Sequence, residues 1–80
     1  MSVRVLLFAR YAELLGRSSV ELPLPAGARV RDVVAALRAL PGGDALPADP
    51  LVALGRRQAS ATDVVASGDE VALLPPLAGG

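Results

Sequence analysis

The sharpest hydrophobic pattern in the chain is Val30, Val33, Val34, Leu37 and Leu40, spaced i, i+3, i+4, i+7 and i+10. This spacing puts all five on one face of a helix, with Arg29, Arg31, Asp32 and Arg38 on its wet side. The N-cap position falls on Ala28 or Arg29, so no Ser, Thr or Asp side chain caps the start, and Asp32 in the first turn offsets this in part. Pro41-Gly42-Gly43 ends the helix. Elsewhere the period is two. Val3 to Ala9 predicts a strand with Val3, Val5 and Leu7 on one face and Arg4, Leu6 and Phe8 on the other. Apolar residues on both faces from Leu6 onward predict a central strand buried on both sides. Ala9 to Leu15 holds helix formers and stops at Gly16, which suits a left-handed C-terminal residue, so one or two helical turns are expected there. Val20 to Leu24 alternates again, and Pro23 marks it as an edge strand.

Asp44 to Pro50 reads as a loop, followed by a strand from Leu51 to Leu54. Gly55 supplies the positive φ of a tight turn, and Arg56 to Ala59 is the return arm. Ser60-Ala61-Thr62-Asp63 matches a helix-opening pattern, but only a turn fits before Gly68. Ser67-Gly68-Asp69-Glu70 is a turn, and Val71 to Leu74 is the last strand, stopped by Pro75. The order is strand, strand, helix, strand, short strand, strand. It predicts an α+β fold, a ubiquitin-like β-grasp roll in which one main helix packs on one face of a mixed sheet. The first and last strands are expected side by side and parallel.

Composition narrows the chemistry. Eighty residues make one small domain, and a chain 52% hydrophobic but 2% aromatic must build an aliphatic core. Such a chain has too little polar surface to cover itself, which favours an apolar partner-binding face. Eight Arg balance eight Asp and Glu, with no Lys. No basic surplus exists to neutralise phosphates, so nucleic acid is not an expected partner. Without Cys or His, thiolate nucleophiles, His-based triads and most transition-metal sites are excluded, and no metal site is expected. No signal segment and no membrane span is recognisable, so a cytoplasmic location is expected. Asp69-Glu70 reads as turn carboxylates that organise their own backbone rather than as an acid–base pair. Arg56-Arg57 reads as a solvated hairpin tip rather than a phosphate contact. Gly42-Gly43 lacks the Lys and following helix of a phosphate loop. Tyr11 is expected to pack across the first hairpin.

What remains is the end of the chain, Pro75-Pro76-Leu77-Ala78-Gly79-Gly80. The reading divides the chain into a domain at 1–74 and an extended tail at 75–80. Two prolines stiffen the tail root, and Gly79-Gly80 is the narrowest end a chain can carry. Six extended residues span about 20 Å, enough to enter a tunnel in another protein. A frayed terminus is the rival reading; the stiff root and apolar Leu77 weigh against it. The reactive group is then the Gly80 carboxylate. It is ionised at neutral pH and unreactive until a partner enzyme activates it, most simply by adenylation with ATP. A sulfur nucleophile can displace AMP and leave a thiocarboxylate. Candidate docking residues are Leu74 and Leu77, and then Phe8 and Leu54, for which core packing is slightly favoured, as it is for Leu73.

Four segments together resemble the MoaD and ThiS group of β-grasp sulfur carriers, the family of molybdopterin synthase small subunits. They are Phe8-Ala9 with Glu13-Leu14-Leu15-Gly16, Val30-Arg31-Asp32-Val33, Ser67-Gly68-Asp69-Glu70-Val71-Ala72, and the Pro-Pro to Gly-Gly end. The resemblance implies no bound cofactor, with ATP used by a ubiquitin-activating-like adenylyltransferase that activates Gly80 and a sulfur donor protein that makes the thiocarboxylate. It implies a large catalytic subunit that receives the tail, in a heterotetramer of two small and two large subunits. There the sulfur passes to cyclic pyranopterin monophosphate during molybdenum cofactor biosynthesis. Two residues depart from the family pattern: Gly55 where Asn is frequent, and Arg29 where a Ser or Thr cap is usual. Neither touches the tail. Three alternatives stay open: a sulfur carrier for thiamin thiazole or tRNA thiolation, a ubiquitin-like protein modifier, and a binding module without acyl chemistry.

Overall fold

The computed structural model describes residues 1–76. Its elements are β1 (Ser2–Leu7), α1 (Ala9–Leu15), β2 (Ser19–Pro23), α2 (Val30–Arg38), a 3-10 turn (Gly43–Ala45), β3 (Leu51–Leu54), β4 (Arg57–Ala59) and β5 (Glu70–Leu74). The five strands form one mixed sheet in the order β2-β1-β5-β3-β4. β1 and β5 run parallel at its centre, from Arg4 beside Glu70 to Leu7 beside Leu73. β2 is an edge strand, as Pro23 predicted. Leu7 and Leu24 donate to Ser18 and Met1 across the β1–β2 pair. In an antiparallel ladder only alternate residues bond the neighbour, so Pro23 faces outward, where its missing N–H costs nothing.

The inward positions of the sheet are Val3, Val5 and Leu7, Val20 and Leu22, Val52 and Leu54, and Val71 and Leu73. They join Val30, Val33, Val34 and Leu37 of α2 in one buried cluster. Tyr11 is buried in the same cluster. The first strand departs from expectation. β1 is central but buried on one side only: Leu6 is half-buried and Phe8 is 43% exposed. Their apolar character belongs to an uncovered face, not to a second core.

Ala9, at φ 50, is the one non-glycine residue in the left-handed region among the described residues, and it turns the chain from β1 into α1. Gly16 ends α1 at φ 72, with its N–H on the Glu13 carbonyl. α2 stops at Arg38, so Leu40 packs half-buried just beyond it. A single 3-10 turn does follow Gly42, which the sequence reading omitted. Gly43 is buried there, and a Cβ on it would collide with the Leu37 carbonyl. The two glycines therefore let this turn press against the ends of both helices.

The start of α2 is capped by a distant loop together with its own Asp32. The Val30 N–H donates to Asp63 O at 2.9 Å and the Arg31 N–H to Ala61 O at 3.0 Å. Asp32 Oδ2 accepts the Arg29 N–H at 2.8 Å, and Arg29 Nη1 donates to Thr62 O at 2.6 Å. Arg29 is consequently half-buried rather than on the wet side. Ser60 to Asp63 forms a turn and no helix, with Asp63 Oδ2 accepting the Ser60 N–H at 2.9 Å. Its capping-type sequence thus serves another helix.

Candidate functional site

β5 lies between β1 and β3, pairing Leu73 with both Leu7 and Val52, and Leu74 with Leu51. A strand fixed on both sides makes a rigid base for whatever leaves its end. Leu74 and Pro75 are half-buried and Pro76 is exposed. Leu77, Ala78, Gly79 and Gly80, the last expected to carry the reactive carboxylate, lie outside the described residues.

Strand alternation sorts the uncovered face into two halves. Leu6, Ala72 and Ala53 share one row across β1, β5 and β3, and Leu74 and Leu51 share the next, at the end where β5 stops. Leu51 is 40% exposed, and Phe8 continues the same face beyond β1. These residues make an apolar field beside the tail root. At the opposite end stand Ser2, Arg4, Glu21 and Glu70. Arg4 Nε donates to Glu21 Oε1 at 3.1 Å and Ser2 Oγ to Glu21 Oε2 at 2.9 Å. The Glu21 carboxyl is held below its ordinary 4.5, first by the hydrogen bond from Ser2 and then by that from Arg4. The contact is therefore present at neutral pH and is lost as pH falls through the lowered value.

The candidate docking residues separate cleanly. Phe8, for which packing was slightly favoured, is exposed on the apolar field. Leu54 is 9% exposed and belongs to the core, because it sits on the inward side of β3 opposite Arg57. Leu73 is fully buried. Leu74 is half-buried beside Leu51, at the base of the tail. Sequence reasoning missed Leu6, Leu51, Ala53 and Ala72 as surface residues. The signal was present in the apolar residues on both faces of the first strand, which equally fits a docking face.

Little in the described residues supports chemistry on this chain alone. No three His, Cys, Asp or Glu side chains gather there. Asp69 does what its turn position predicted, accepting the Ala66 N–H at 2.8 Å. No polar or charged side chain is buried among these residues. A cavity of about 510 Å³ lies between α2 and the β3–β4 edge, with Arg31, Asp49 and Gln58 at its rim. No helix of the described residues is long and apolar enough to cross a membrane.

Residues 5–80 match the ThiS family. Among solved structures, SAMP1 from Haloferax volcanii superposes with a TM-score of 0.85 at 30% identity, covering 100% of each chain. A putative molybdopterin converting factor subunit 1 from Pyrococcus furiosus gives 0.85 at 30% identity, over 96% of this chain and 99% of that one. Subunit 1 and 2 of the molybdopterin-converting factor from Helicobacter pylori 26695 were solved as a protein–protein complex. That match gives 0.72 at 21% identity, covers 100% of both chains, and bears on the fold alone.

Proposed function

The chain belongs to the ThiS family of ubiquitin-like β-grasp proteins, and from that membership we propose that it is the sulfur carrier subunit of a molybdopterin synthase. One observation carries this reading: the central strand β5 delivers Pro75-Pro76 at the border of an uncovered apolar face. A carrier needs those two things together, a surface that seats on a partner and a rigid origin for the tail that enters it.

In this reading an activating enzyme binds ATP and directs the Gly80 carboxylate onto its α-phosphate, releasing pyrophosphate and leaving an acyl-adenylate. The persulfide of a sulfur donor protein then attacks the Gly80 carbonyl and expels AMP, and a thiol cleaves the resulting acyl disulfide, leaving the thiocarboxylate on Gly80 and a disulfide on the donor. Leu77 to Gly79 thread the partner's channel while Leu74, Leu51 and Phe8 seat on its surface. The receiving partner in this reading is a large synthase subunit, the counterpart expected from the likeness to a putative molybdopterin converting factor subunit 1. Its substrate would be cyclic pyranopterin monophosphate. Phosphate binding and acid–base catalysis fall to the large subunit.

A second reading has its own support: the match to SAMP1, a small archaeal modifier protein, is as high as that to the converting factor. A modifier would pass its activated Gly80 to amines of other proteins. Intact mass after incubation with ATP, the cognate activating enzyme and a sulfur donor separates the two. The carrier reading expects a shift equal to one oxygen replaced by sulfur, absent when Gly80 is deleted and discharged by the large subunit with pyranopterin. Isopeptide-linked conjugates without that shift would establish the modifier instead. Neither product, with the enzyme shown active, would overturn both.

A further inference from the structure

All eight cationic side chains are arginines, and the chain has no lysine. Three of them use the guanidinium itself: Arg4 Nε donates to Glu21, Arg29 Nη1 to the Thr62 carbonyl and Arg38 Nε to the Leu46 carbonyl. The others, Arg10, Arg17, Arg31, Arg56 and Arg57, are exposed and make no side-chain hydrogen bond among the described residues. At these sites a lysine would carry the same charge, so neither packing nor hydrogen bonding asks for arginine. What separates the two side chains there is nucleophilicity. A lysine sheds its proton to give an amine that attacks acyl groups, whereas guanidinium stays protonated and does not.

Two of these arginines stand close to where the tail departs. β1 ends level with β5 at Leu7 and Leu73, and Arg10 follows Leu7 by three residues. Arg17 is at the same end of the sheet, since the next residue, Ser18, accepts the Leu7 N–H at 2.9 Å. Chain connectivity keeps both within the roughly 20 Å that six extended residues can span. The α-amino group of Met1 is placed differently. It is partly buried and donates to the Leu24 carbonyl at 2.9 Å. Met1 precedes Leu7 by six residues, which puts it about 20 Å away, toward the opposite end of the sheet. To reach it, a tail leaving β5 would have to double back at full stretch.

We infer that this chain withholds amines from its own activated end: neither the same molecule nor a second copy offers an activated Gly80 an acceptor, and the acyl group is kept for a partner's nucleophile. The inference rests on the carrier reading above and adds how the activated end is protected. In the reaction avoided, the neutral amine of a lysine attacks the Gly80 carbonyl of the acyl-adenylate. AMP leaves with the bonding electrons, the nitrogen loses a proton, and an inert amide remains.

The test incubates the full-length chain with ATP and the activating enzyme of the same organism, without a sulfur donor, and reads intact mass. Native chain is compared with R10K/R17K; both sites are exposed, and matching melting curves establish that the variant folds. A parallel reaction with hydroxylamine traps the activated end as a hydroxamate, and self-amide is scored as a ratio to it. The native chain is expected to give hydroxamate without self-amide. In R10K/R17K a species lighter by one water, or a covalent dimer, is expected at roughly tenfold or more above native, with the new bond mapped to position 10 or 17. Self-amide at Met1 of the native chain, or a ratio no higher in the variant, would overturn the inference and leave the carrier reading standing. No hydroxamate from the native chain would instead overturn the carrier reading, and the inference with it.

Discussion

Gly43 shows how much one missing atom decides. Its Cα faces the Leu37 carbonyl at the end of α2, with no room for a side chain. The obstacle is backbone, which cannot swing away as a side-chain tip would. Gly43→Ala is therefore expected to cost about 3 kcal/mol in urea unfolding. Gly55, by contrast, meets nothing within 4 Å of a would-be Cβ and serves through its φ of 63. The sequence made both visible as turn residues. It showed the purpose only of Gly55, because close approach between segments distant in sequence leaves no local pattern.

At the scale of elements, the amphipathic helix and the alternating strands were legible because repetition reveals them. The α2 stripe, Pro23 at the edge, the turn at Gly55 and the stop at Gly16 all stand where periodicity and turn chemistry put them. Isolated contributions were not legible. Leu46 and Val65 are buried core residues on irregular segments, and a single apolar residue in a loop has no period to betray it. The capping of α2 by residues 60–63 was equally hidden, since its partners stand some thirty positions apart. Asp63→Ala removes the carboxylate that shapes this loop. The expected loss is about 1 kcal/mol, read most directly as faster amide exchange at Val30 and Arg31. Unchanged exchange there would mean the loop keeps its shape without that carboxylate.

Taken whole, the molecule packs one face of its sheet and leaves the other uncovered. The inward side of the sheet is saturated with aliphatic contacts, whereas Leu6, Leu51, Ala53 and Ala72 keep an apolar field open on the other. Leu51→Asp puts a charge into that field without touching the core. It should weaken binding to the large subunit by roughly thirtyfold or more, as loss of a central contact does. The melting temperature should move by no more than about 3 °C. A large drop in melting temperature would mean that the face also supports the fold. The proposed tail chemistry rests on the order of residues at the chain end, and the extent of the open apolar face became visible only in the completed sheet.

The parallel pairing of β1 with β5 has a practical consequence. Because the two central strands run in the same direction, β1 begins at the opposite end of the sheet from the point where β5 finishes. A tether attached ahead of Ser2 would hold the domain by its remote end. Immobilised that way, every molecule on a sensor chip would stand with its outgoing strand toward the solution. The same handle placed after β5 would occupy the end of the sheet from which the proposed carrier tail departs.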